Sequence, residues 1–254
     1  MKQIFKIGLI LLTIFHSQLA HSQDINVMFK EADNLEIKLK EPEALDKYKQ
    51  ILVVEPNNIK ALVKATELSC AIGGRQTAKK DKHLYNQSAL AFAQRALAAD
   101  EKNADANYAM ALASGKLSES ETENKKIVAY IKDDKAYAEK ALAINPNHGR
   151  ANFILGKWYI DMVNLNSIRK NAVKLFYGGL PEETAESAIK YMEKCRTLEP
   201  YFMLNYLELA KVYKQDNKPP KAIEVLQKLV KLPIRTADDT AIKAEGQKML
   251  DEMN

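Results

Sequence analysis

A chain of 254 residues with a formal charge of +5 and only two cysteines is long enough for one domain or one continuous solenoid, and is no disulfide scaffold. Its lysines and arginines are spread along the chain rather than clustered, which gives a nucleic-acid partner no specific support. Nine glycines and eight prolines against abundant Ala, Leu, Lys and Glu suit packed helices rather than sheets.

Residues 1–22 have the layout of a secretory signal peptide. Lys2 and Lys6 form a basic start, Ile7–Phe15 a short apolar run, and Ala20-His21-Ser22 sets small residues before a cut ahead of Gln23. The apolar run falls well short of the ~20 residues that span a bilayer, so an uncleaved anchor fits less well. The mature chain is then 23–254, a single domain, periplasmic or secreted, with no transmembrane segment after cleavage. Loss of Lys2 and Lys6 takes its formal charge from +5 to +3.

From there the chain repeats. One helix presents small residues and ends at a proline: Ala44, Tyr48, Ile51, Leu52 and Pro56. The pattern returns at Ala89, Ala93, Ala96 and Leu97, then at Ala138, Ala141, Leu142 and Pro146. It returns again at Ala188, Met192, Cys195 and Pro200, and finally at Ala222, Leu226, Leu229 and Pro233. Each turn leads into a second kind of helix, in which Ala61, Ala106 and Ala151 are evenly spaced. Two later copies read Leu155, Gly156, Tyr159 and Leu209, Ala210, Tyr213. A small residue there lets two helices approach, and the tyrosine fills the gap one turn on.

This order resembles the tetratricopeptide repeat family over nearly the whole mature chain, with Met28, Ala32 and Leu35 a degenerate first copy. The resemblance implies an all-α helical solenoid of about five helix-turn-helix repeats, helix A followed by helix B. Ala44, Ala89 and the equivalent Asp134 are 45 residues apart, against 34 between Ala188 and Ala222. Eleven extra residues are about three turns, so a helix can lengthen without rotating its buried face. Gly73-Gly74 and Ser118–Asn124 mark breaks after helix A, which assigns the extra turns to the start of helix B. Ile127, Ile131, Ala138 and Leu142 continue one apolar face there.

The fourth repeat carries an insertion at 164–184. Ser167–Phe176 reads as an amphipathic helix with Ile168, Ala172, Leu175 and Phe176 on one side and Arg169, Lys170 and Lys174 on the other. Tyr177–Pro181 ends it, and Pro181-Glu182-Glu183 starts the next helix B. Thr236-x-x-Asp239 resembles a capping box opening a C-terminal capping helix to about Met253. The run INPNHGRANFILGKWY, then NAVKLFYGGLP, YMEKCRTLEP and NYLELAKVY is similar to the regulator of microtubule dynamics family, over roughly Ala89 to Met253. That resemblance implies long-helix repeats and a side helix. An exported chain would meet no microtubules, so the association in the family's name is not carried over.

No catalytic constellation, cofactor motif or metal-ligand spacing is present in the sequence, which points away from an enzyme. After the signal peptide only His83 and His148 remain; His148 aligns with Asn58 and Asn103 and reads as a solvated turn residue. Cys70 and Cys195 read as buried core thiols. Gly73-Gly74-Arg75 reads as a helix stop rather than an anion nest, and Asp238-Asp239 as helix-dipole complements.

What remains is surface. The outward positions of helix A include Tyr108 and Leu112, then Arg150, Phe153 and Lys157, then Leu207 and Lys211. Exposed, these form an apolar floor flanked by positive charge, suited to a protein or peptide segment with acidic groups. Alternatively Tyr108 and Phe153 pack against the insertion. A lysine/asparagine clamp for a terminal carboxylate is not visible, because Val63, Glu67, Ala109 and Ile154 stand at its positions. The leading expectation is a non-catalytic exported scaffold that holds a partner in this groove. The alternative is a carrier of an amphipathic molecule such as a lipid, with the insertion as a lid or, more plainly, a side brace.

Overall fold

The computed structural model describes residues 25–165, 170, 171, 173–175 and 184–253. The signal-peptide segment 1–22 therefore lies outside the described residues, as do Ile168, Arg169, Ala172, Phe176 and the stretch 177–183. Among the described residues there is no strand, and no helix is long and apolar enough to cross a membrane.

The helices alternate as helix A and helix B. Helix α1 covers 25–37 and α2 Glu41–Val54; α3, Ile59–Gly74, pairs with α4, Lys79–Ala99. Next come α5, Ala104–Ser120, with α6, Asn124–Ile144, and then α7, Gly149–Val163. Residues 170, 171 and 173–175 are helical and form part of the inserted α8. The array resumes with α9, Ala185–Leu198, and continues through α10, Met203–Gln215, and α11, Pro219–Leu229. Helix α12, Asp239–Asp251, caps it against α10 and α11.

Each helix A from α3 to α7 starts on a side chain that accepts a backbone N–H. Asn58 Oδ1 takes Ala61 N at 3.0 Å and Asn103 Oδ1 takes Ala106 N at 3.0 Å. His148 Nδ1 takes Ala151 N at 3.1 Å, so His148 is a buried helix cap and not a solvated turn residue. Such a cap is worth about 1 kcal/mol. One turn later the Asn107 amide donates to the Glu101 and Asn103 carbonyls, and Asn152 to those of Pro146 and His148. The turn and the helix after it are thereby fixed as one unit.

The helix pairs close on alanines. Ala44, Ala89, Ala138, Ala188 and Ala222 are each 0% exposed. At Gly156 the approach reaches the partner's backbone: a Cβ there would lie 2.8 Å from Met192 Cγ and 3.1 Å from the Ala188 carbonyl oxygen.

The extra three turns are shared between both helices rather than given to helix B alone. Helices α4 and α6 have 21 residues against 14 in α9, while α3 and α5 have 16 and 17 against 13 in α10. The physical reason is contact. A helix B extended alone would run past the end of its helix A with nothing to bury its face. Gly73, near the end of α3, allows the longer pair to stay close, since a Cβ there would lie 2.8 Å from Tyr85 Cβ.

The cap also starts later than the capping box suggests, at Asp239 rather than after Thr236. The back-reaching half of the box is present, because Asp239 Oδ2 accepts from Thr236 N at 2.8 Å and also from Arg235 N at 2.7 Å. Among the described residues of the insertion, Leu165 and Val173 pack into a cluster with Ile127, Val128, Ile131, Trp158 and Met162. Leu175, placed on the apolar side by its spacing, is 75% exposed. The described part of α8 is thus a brace across α6 and α7, whose own junction is pinned by Trp158 Nε1 donating to the Ile131 carbonyl at 2.9 Å.

Replacing Gly156 with alanine is expected to lower stability by about 1–3 kcal/mol, because the backbone of α9 cannot move aside. Alanine at Gly74, which meets nothing within 4 Å, should leave stability unchanged or raise it by up to about 1 kcal/mol. Urea unfolding of the two variants beside the parent checks both, and equal midpoints would remove the close-approach argument.

Candidate functional site: the helix A row

The inner residues of α3, α5, α7 and α10 form one row, because these helices pack on each other in sequence. Three groove candidates are not exposed on it. Tyr108 is 4% exposed, Phe153 6% and Leu207 2%. The partners of the two aromatics among the described residues belong to the array itself. The Tyr108 ring lies 4.9 Å from the His148 imidazole, and its hydroxyl donates to Glu67 Oε1 at 3.0 Å. Phe153 meets Phe202 edge-on at 4.9 Å. Curvature explains this, since each helix A leans on the next and covers positions that are outward on an isolated pair. Burial, with the Glu67 charge nearby, pushes the Tyr108 hydroxyl well above its ordinary range, so it stays a neutral donor.

Leu112, Arg150, Lys157 and Lys211 remain half-exposed. The cations, however, already have partners. Lys157 pairs with Asp161 and stands 3.8 Å from Glu208 Oε2. Lys211 bridges Glu208 and Glu245, each at 2.9 Å. Arg150 is the most available of the three. Its guanidinium stacks 3.5 Å over the Phe202 ring, and its nearest carboxylate oxygen, on Glu199, is 4.0 Å away. Beside it, His148 Nε2 stands 3.0 Å from Asp105 Oδ1, and that contact holds the Asp105 carboxyl below the usual range.

Spacing alone gave little weight to one acid. Asp134 stands where Ala44, Ala89, Ala188 and Ala222 stand in the other repeats, so the break in that alanine series was the signal for it. Its Oδ1 is enclosed and has no hydrogen-bond partner among the described residues. Gly115 faces it, and a Cβ there would lie 2.9 Å from Asp134 Oδ2. Burial, reinforced by the charges of Asp161 and Glu119, pushes the Asp134 carboxyl well above the usual carboxylate range. Asp161 is raised as well, again chiefly by burial. Cys70 and Cys195 are free, buried and pushed up to about 12, which makes both inert thiols. No group of three or more His, Cys, Asp or Glu side chains among the described residues could hold a metal ion.

The raised Asp134 carboxyl has a consequence for stability. The folded chain keeps a proton that the unfolded chain releases, so stability is expected to fall as pH rises from the ordinary carboxylate range to the raised one. Asp134→Asn, and Asp134→Ala with the residue found elsewhere in the series, should flatten that decline by at most about 1.4 kcal/mol per pH unit. Chemical unfolding between about pH 4 and pH 8 reads this directly. A parent whose slope matches both variants would show that Asp134 titrates normally.

Comparison with known proteins places this geometry. A family model described as regulator of microtubule dynamics protein 1-3 matches residues 28–254, a span that reaches well before Ala89. Mouse regulator of microtubule dynamics protein 1 is 27% identical over 177 residues, 69% of this chain and 57% of its own length. Cattle regulator of microtubule dynamics protein 3 is 28% identical over 174 residues, 68% of this chain and 36% of its own. The chain therefore spans little more than half of the first relative and about a third of the second. Among solved structures, a thermophilic TPR protein of Thermus thermophilus aligns with a TM-score of 0.62 at 13% identity, over 87% of this chain and 98% of that one. The fold is accordingly a TPR solenoid.

Proposed function

Because the chain belongs to the regulator of microtubule dynamics protein 1-3 family, we propose that it is a non-catalytic scaffold that holds an acidic protein or peptide segment along its helix A row. The fold and the regulator names of its relatives suggest an interaction role rather than an enzymatic one. One observation carries the finer reading: Arg150 is half-exposed on that row, held flat on Phe202, and not closely paired. A guanidinium kept in place by an aromatic ring loses little freedom on binding and presents planar donors to a carboxylate. Leu112, one repeat before Lys157 on the same row, supplies apolar surface, while Lys157 and Lys211 serve as secondary cations that exchange Glu208 for a ligand acid. Tyr108, Phe153 and Leu207 act beneath the surface as the packed floor. The 1–22 pattern supports an exported chain, so the partner would be periplasmic or extracellular.

Peptide selection against the full chain should enrich acidic sequences with an apolar anchor. Arg150→Glu should lower their affinity at least about tenfold, roughly 1.4 kcal/mol. Selection of basic or purely apolar sequences, or equal affinity in the variant, would set the reading aside. For export, expression with residues 1–22 in a bacterial host is expected to give a periplasmic product beginning at Gln23. A cytoplasmic product that keeps Met1 would remove that part alone.

A further inference from the structure

The two ends of the array touch. Glu41 is the first residue of α2, at the edge of the first repeat, where an open solenoid leaves a side chain in water. Here Glu41 is 5% exposed. What covers it comes from the far end of the chain: Ala237 N donates to Glu41 Oε1 at 3.2 Å, across 196 positions of sequence. Arg75, the residue after α3, joins both sides. Its Nη2 donates to Glu41, and its Nη1 donates to Asp238 Oδ1 at 2.9 Å, across 163 positions.

The loop that supplies Ala237 and Asp238 is itself held firmly. Asp239 Oδ2 binds the N–H groups of Arg235 and Thr236, and the Arg235 guanidinium lies 3.9 Å over the Tyr201 ring. A buried carboxylate is costly without hydrogen-bonded, charged partners, so Glu41 is placed for this contact rather than for its own repeat.

We propose that Glu41, Arg75 and Asp238 form a clasp that locks the first repeat to the capping helix and keeps the helix A row in its narrow form, so that release of the clasp widens the row for a ligand segment. The widening rests on the scaffold reading above; the clasp itself does not.

Spin labels on cysteines introduced at Glu43 and Thr240, both exposed and on opposite sides of the contact, measure the gap in the full chain without any ligand. The parent should give one narrow distance distribution. Arg75→Glu should broaden it and shift it to longer distances, and Arg75→Lys should do so partly, because lysine cannot bridge two carboxylates as a fork does. About 1 M salt, where the Debye length is about 3 Å, should move the parent in the same direction. Unchanged helicity by circular dichroism separates opening from unfolding. If Arg75→Glu fails to fold, Asp238→Lys decides, since that loop residue precedes α12 and supports no helix packing. Distributions that overlay the parent in the folded variants would overturn the clasp. Selection of basic or purely apolar peptides, or equal affinity in Arg150→Glu, would remove the scaffold reading and leave the clasp standing, so the two proposals fail separately.

Discussion

The structure depends on close approach between helix A and helix B, made possible by side chains no larger than a methyl group. Ala44, Ala89, Ala138, Ala188 and Ala222 are completely enclosed, and at Gly156 even a methyl group would collide with the Ala188 carbonyl. Close helices leave little room for error, because a packed interior loses contact energy with gaps of a fraction of an ångström. Lengthening therefore had to preserve the contact line. About two turns went to helix B and one to helix A, so the lengthened helix B does not run on alone. The pairs α5–α6 and α3–α4 are the most extensive junctions of the molecule as a result.

Asp134 shows the same constraint from its weak side. A carboxyl placed in the alanine series needs room, and Gly115 provides it, but no donor reaches Oδ1 among the described residues. A neutral carboxyl is the form that such a place favours, because ionisation there would leave a charge without solvent or partner. Asp134 lies in the middle of the array, where α6 meets Gly115 of α5. On another side of the same helix, Val173 packs into the cluster that Ile127, Val128 and Ile131 of α6 form with Trp158 and Met162 of α7. The brace and the acid thus bear on one helix, α6.

Local chemistry was legible in the sequence, and curvature was not. Alanine spacing gave the helix pairs, and the turn prolines gave the ends of helix B. The unequal copy lengths gave the elongation, though not its division between the helices. Each of those features is decided within one repeat. Tyr108, Phe153 and Leu207 were placed outward because the period of a helix defines its faces relative to its own pair. Which outward face is then covered depends on how sharply successive pairs turn, a sum of small rotations that no single repeat encodes. His148 was misplaced for a related reason: its alignment with two asparagines was correct, but the shared role is capping under a neighbouring helix. Arg75 and Asp238 were each given a sufficient local explanation, a helix stop and a dipole complement. Nothing in the sequence joins two such residues across 163 positions.

The paired lysines of the helix A row bear on what recognition there requires. Lys157 and Lys211 both lean on Glu208, so an incoming acid must take the place of an existing one. The exchange has a cost, because the Glu208 side chain is only 15% exposed and would lose its cations to the ligand. It also makes charge alone a poor discriminator, because the internal acid competes with every acidic ligand equally. Discrimination then has to come from groups whose position is fixed before binding. On this row that is the guanidinium of Arg150, held by Phe202, which is held in turn by Phe153. The buried aromatics, read first as ligand contacts, thus contribute one layer down, by keeping the contacting cation where a carboxylate can find it.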